Sequence, residues 1–146
     1  MFRGNAPARI DDKGRLKVPN AFRALLEQKY GRELFLTSLT GEYVRLYPMP
    51  VWLEIEEKLG AIPTTHPSKL RFLDRANYFG QAGELDVQGR VLIPVRLRDA
   101  ATMAGDVDVL GQIKWLDVWN HDRFLNKLQR ESYTDDDARA LSEFGI

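Results

Sequence analysis

Short runs of two-residue apolar alternation, each followed by three- and four-residue apolar spacing, set the rhythm of this chain. Arg15-Leu16-Lys17-Val18 places an apolar side chain at every second position, which predicts a strand. Pro19 ends that strand and pre-sets the backbone for a helix start. Phe22, Leu25 and Leu26 then fall three and four apart, and Gly31 just beyond them is the expected helix stop. Glu33–Leu39 and Glu42–Tyr47 predict two strands joined at Thr40-Gly41, followed by a helix with Trp52, Ile55 and Leu59 on one stripe.

The same rhythm returns. Residues 10–23 read apolar-Asp-x-x-Gly-Arg-apolar-x-apolar-Pro-x-x-apolar-Arg, and residues 85–98 repeat it at an offset of 75. Five positions are identical: Asp11/Asp86, Gly14/Gly89, Arg15/Arg90, Pro19/Pro94 and Arg23/Arg98. Each copy predicts a tight hairpin. The Asp carboxylate is suited to accept nearby backbone N–H groups, and Gly accepts positive φ without a Cβ clash. After Pro94, Leu97, Ala100, Ala101 and Ala104 repeat the helix with smaller residues, and Gly105 is its expected stop. Val107–Leu110 and Trp115–Trp119 predict a second hairpin. Phe124, Leu125 and Leu128 supply the stripe of a second closing helix, now at an offset of 72. Loss of three residues in the hairpin turn accounts for the change.

Between the copies, residues 60–67 have linker composition. Ser68 is the expected cap of a helix running to Phe79, with Phe72, Leu73, Ala76 and Phe79 inward. Thr134 and Asp137 predict a capping box. The organisation is therefore repeat 1 over 5–50, a helical connector over 51–79, repeat 2 over 80–124 and a C-terminal helical tail over 125–146. Four short strands leave many unpaired edges in one ββαββα repeat, and two repeats can close one barrel by satisfying each other's edges. The expected fold is α+β, mainly β, with the tandem repeats forming an intramolecular pseudo-dimer.

Composition narrows the functions. The 146 residues contain no Cys, which excludes disulfides, thiol catalysis and Cys-ligated zinc. No apolar run approaches the ~18 residues of a membrane helix, and the first residues have no signal-peptide core. A cytoplasmic location without membrane partners is expected. Net charge is zero, but residues 1–50 hold nine Lys/Arg against five Asp/Glu, and the tail 127–146 holds three against five. Such polarity suits a protein that offers one face to an anion. His66 and His121 have no ligand partner at metal spacing, and Asp135–Asp137 read as a favoured helix start. No nucleophile elbow, Walker loop or dinucleotide fingerprint is present. No enzyme activity, metal, cofactor or small-molecule substrate is expected.

The two Asp-x-x-x-Arg motifs, the opening Met1-Phe2-Arg3-Gly4 and the block Leu46-Tyr47-Pro48-Met49-Pro50-Val51-Trp52 together resemble the MraZ family, over essentially the whole chain. The resemblance implies two tandem SpoVT-AbrB-type repeats in a double-split, or swapped-hairpin, β-barrel. It implies a sequence-specific DNA-binding transcriptional regulator of the division and cell-wall gene cluster. It also implies ring-shaped homo-oligomers and association with the nucleoid. The family's DNA-facing motif falls on Asp11, Lys13, Gly14 and Arg15, and on Asp86, Gly89 and Arg90. Val87-Gln88 stands where the first copy has Asp12-Lys13, so the second turn lacks a cation.

Lys13 at a turn tip, Arg15, and Lys17 on the same strand face make a small cationic ridge. At the matching positions the second copy keeps only Arg90. Repeat 1 is therefore the expected DNA-binding copy, through Lys13, Arg15 and Lys17, with Arg3, Arg9 and Arg90 as further contacts. Asp11, Gly14, Asp86 and Gly89 are the expected structural residues of the motif. An Asp11–Arg15 pair across the turn is the plain structural alternative for that arginine. The competing function is an antitoxin-like or scaffold module that binds protein through the acidic tail and Trp52, Trp115, Trp119 and Phe124.

Overall fold

A computed structural model describes all 146 residues. The first part of the chain folds as β1 (Asn5–Ile10), β2 (Arg15–Lys17), α1 (Asn20–Lys29), β3 (Glu33–Thr37), β4 (Val44–Pro48) and α2 (Met49–Gly60). Helix α3 (Pro67–Tyr78) leads into β5 (Gln81–Glu84), β6 (Arg90–Leu92), α4 (Val95–Ala101), β7 (Gly105–Gly111), β8 (Leu116–Asn120) and α5 (His121–Arg130). Helix α6 (Asp135–Ser142) follows, with the expected Thr134–Asp137 capping box.

The strands form one antiparallel sheet in the order β5-β3-β4-β8-β7-β1-β2-β6. It curls until β5 meets β6 at the Asp86–Arg90 turn, giving a nearly closed eight-stranded barrel. Four pairings join one repeat to the other: β3–β5, β4–β8, β1–β7 and β2–β6. Neither repeat completes its own sheet, so closing the barrel removes edges that each would expose alone. A mainly-β α+β fold built from two repeats is the result.

A pseudo-two-fold axis runs through the two pairings that join equivalent strands. Leu16 sits opposite Val91 in β2–β6, and Arg45 sits opposite Asp117 in β4–β8. The inner faces of all eight strands point to one core. Leu16, Val18, Leu34, Val91, Ile93 and Val109 are essentially sealed in it. A smaller cluster of Tyr47, Val51, Trp52 and Ala76 seats α2 and α3 on the outside.

Three sequence expectations shift. Helix α3 starts at Pro67, and the ring Nδ1 of His66, not Ser68, caps it by accepting from the Ser68 N–H at 3.2 Å. Helix α4 stops at Ala101, because Thr102 adopts φ 53° and turns Met103 into the core. Ala104 therefore lies outside the helix and exposed, and Gly105 opens β7. In α5 only Phe124 packs inward, against the Trp119 ring at 5.5 Å, while Leu125 and Leu128 face outward.

Arg45 and Asp117 form the ion pair on the pseudo-axis. Arg45 Nε and Nη2 donate to the two Asp117 oxygens at 2.8 and 3.2 Å. The rings of Tyr43, Tyr47 and Trp115 surround the guanidinium. Burial opposes its charge, but the Asp117 hydrogen bonds and field outweigh burial and hold Arg45 above its ordinary pKa.

Candidate nucleic-acid interface

Both motif turns are built alike. Asp11 Oδ1 accepts the N–H groups of Lys13 at 3.0 Å and Arg15 at 2.8 Å, and Oδ2 accepts Arg15 Nε at 2.8 Å. Asp86 accepts Gln88 N, Arg90 N and Arg90 Nε at 2.9, 2.8 and 2.9 Å. Gly14 and Gly89 take φ of +82° and +77°. A side chain at Gly14 would collide with the Arg98 guanidinium, and one at Gly89 with Arg23. Each turn is thus covered by the helix arginine of the other repeat. Backbone bonds between the repeats add to this: Gly14 O accepts Ile93 N, and Gly89 O accepts Val18 N, both at 3.0 Å. This geometry gives a structural reason for the shared Asp, Gly and two Arg positions.

The backbone N–H of Arg15 is the strongest influence holding Asp11 below the usual carboxylate value, reinforced by the Arg15 side chain; Arg90 acts the same way on Asp86. A depressed carboxyl stabilises the fold above its unfolded-state pKa, and that contribution disappears as pH falls through the folded value. Asp11→Asn should therefore lower the thermal midpoint at pH 7, with the gap to the native protein closing in acid. A gap that stayed constant down to pH 2 would show that the carboxylate charge contributes nothing.

The β2–β6 register decides how the cations assemble. Arg15 faces Leu92, Leu16 faces Val91 and Lys17 faces Arg90. Leu16 and Val91 point inward, so the other four point out of the barrel. Arg15, Lys17 and Arg90 therefore share one face of a two-stranded ribbon, with Lys13 exposed at the adjoining tip. The ridge is a joint product of both repeats, not of repeat 1 alone. The offset of 75 carried this signal: a two-fold axis through Leu16 and Val91 necessarily places Lys17 against Arg90.

The two helper arginines differ. Arg9 lies on the exposed face of β1 and shares a concavity with Lys17, but it pairs with Asp106 of β7 at 3.4 Å. Arg3 lies beyond the far end of β1, beside Gly111, and does not join the ridge. On β7, Asp108 binds His121 Nδ1 at 2.7 Å, and that hydrogen bond raises the imidazole pKa. Asp106 and Asp108 thus pair with Arg9 and His121 on the far side of β1 from the ridge.

Chemically, the ridge suits a polyanion. An antiparallel ribbon fits the major groove of B-DNA, and arginine can fork to a guanine edge or to phosphate. Asp11 engages Arg15 through Nε, leaving both terminal nitrogens without a hydrogen-bond partner in the protein. The carboxylate aims the guanidinium as well as closing the turn.

Comparison with known sequences agrees with this architecture. A family profile described as "MraZ protein, putative antitoxin-like" matches residues 1–75 and 80–144. The chain belongs to the MraZ family. A relative from Acidobacterium capsulatum is 46% identical over 146 residues, covering all of both chains. One from Koribacter versatilis is 46% identical over 147 residues, again covering both completely. A third, from Haemophilus influenzae, is 30% identical over 151 residues with the same coverage. All three carry the name transcriptional regulator MraZ. No helix of the chain is long and apolar enough to cross a membrane.

Proposed function

We propose that the protein is a sequence-specific DNA-binding transcriptional regulator whose β2–β6 ribbon enters the major groove. The observation that carries this reading is the pairing of Lys17 directly with Arg90. Like charges placed opposite each other on a sheet destabilise it, so their presence on an exposed ribbon favours an external anion. In this reading Arg15 reads a base edge, Lys13, Lys17 and Arg90 hold phosphates, and Arg9 and Arg3 contact the flanking backbone. The target is the division and cell-wall gene cluster, including the protein's own promoter, and the protein works in the cytoplasm on the nucleoid.

Three phosphate contacts per chain give a salt slope of only about −2.7, too shallow for tight specific binding by one subunit. A ring-shaped oligomer engaging tandem DNA repeats supplies the missing affinity through effective concentration.

The test is fluorescence anisotropy with the duplex just upstream of the protein's own gene, against a shuffled duplex, over a salt series. Tight, salt-sensitive preference for the upstream duplex is expected. Equal, weak binding to both at physiological salt would end the regulator reading and turn attention to protein partners.

A further inference from the structure

The Lys13–Arg15 end of the ridge does not stop at the ribbon. Gly14 O accepts Ile93 N, so the turn tip abuts the chain that enters α4. Arg96 stands in the first turn of α4. Its guanidinium lies 4.3 Å from the Tyr78 ring centre and donates to Tyr78 O at 3.3 Å. Tyr78 is 58% exposed at the end of α3. One and two helical turns back along that stripe lie Arg75 and Arg71, both exposed. Neither forms a salt bridge or side-chain hydrogen bond. With Tyr78, Phe79 and one carboxylate, Asp74, they line a shallow concavity of about 410 Å³.

We propose that Arg96, Arg75 and Arg71 form a one-sided lane, continuous with the ribbon, that binds the phosphate backbone of DNA flanking the site. This rests on the DNA-binding reading and extends it. Arg71 and Arg75 against Asp74, with Arg96 beside them and Asp99 one turn along α4, leave a local cationic excess, and the Tyr78 ring holds Arg96 in place before any ligand arrives. The lane is asymmetric. The pseudo-two-fold puts Ala21 where Arg96 stands, and α3 belongs to the connector rather than to the repeat. The protein therefore grips longer flanking DNA at one end of its site, which gives a pseudo-symmetric ribbon a direction on the duplex.

The experiment uses the full-length protein and a fluorescein-labelled upstream duplex trimmed stepwise from either end. Trimming one end should weaken binding about tenfold and make the salt slope shallower by up to about 2.7, the value for three phosphate contacts. Trimming the other end equally should do little. The variant R71A/R75A/R96A should treat both ends alike. R71A/R75A, which leaves the Tyr78–Arg96 contact intact, should lose about 1.8 of slope. Variants that bind with the native slope and native end-preference would overturn the lane. So would variants that bind DNA normally but lose assembly mass, because the patch would then hold the acidic Asp135–Asp137 tail of another copy. Failure of the native protein to distinguish the upstream duplex from the shuffled one is a separate result, and it would remove the regulator reading itself.

Discussion

Asp117→Ala should destabilise the protein by about 3 kcal/mol, the lower end of the range for breaking a buried ion pair. The substitution leaves the Arg45 guanidinium surrounded by aromatic rings with no carboxylate to answer it. Asp117 is 5% exposed, so water offers little relief. The double variant Arg45→Met/Asp117→Leu should recover most of the loss, since a buried pair replaced by apolar groups of similar volume is often neutral. Urea unfolding with an unchanged m-value reads both. A single-variant cost below about 1 kcal/mol would show that the pair is not a fastener between repeats. The pair also illustrates what tandem fusion makes available. In a symmetric dimer of identical repeats the residue on the axis faces its own copy, giving Arg against Arg or Asp against Asp. Covalently joined repeats can differ at that position, and here one side is Arg45 and the other Asp117, so the two attract.

The variant Lys17→Ala should move stability and binding in opposite directions. Removing one of two like charges that face each other relieves repulsion and leaves the Arg90–Asp86 pair intact, so unfolding free energy should stay level or rise by up to about 1 kcal/mol. DNA affinity should fall several-fold at low salt, and the salt slope should become shallower by about 0.9, the value for one lost phosphate contact. The opposed signs make the test informative. A loss of both stability and binding would point to a damaged ribbon, and a gain of stability with unchanged binding would place the DNA surface elsewhere. Arg15→Ala separates base from phosphate contact: lost discrimination between duplexes marks a base contact, and uniform weakening marks a phosphate contact.

The motif turns show why some features were legible. Asp11, Gly14 and Pro19 act within a window of nine residues, through hydrogen bonds to neighbouring N–H groups, a positive φ and a fixed strand end. Such chemistry repeats wherever the residues repeat, as Asp86, Gly89 and Pro94 confirm. The end of α4 shows the opposite case. Ala104 and Gly105 read locally as helix and stop, but burying Met103 required the chain to leave the helix at Thr102. Likewise the stripe of α5 promised three buried residues, yet only Phe124 has a barrel surface to meet.

The sequence alone therefore determined two repeats, their turns, the order of strands and helices, and the closing of each repeat's open edges by the other. These follow from periodicity, turn chemistry and the cost of unpaired strands, all written in contiguous residues. Only the tertiary structure decided that Lys17 meets Arg90, that Arg23 and Arg98 each cover the other repeat's glycine, and that Arg45 reaches Asp117. Those partners lie 66 to 84 residues apart in the chain. No local preference selects among distant cations and carboxylates; closure of the barrel in one register does, because a slip of one residue would turn the core faces of β2 and β6 to water.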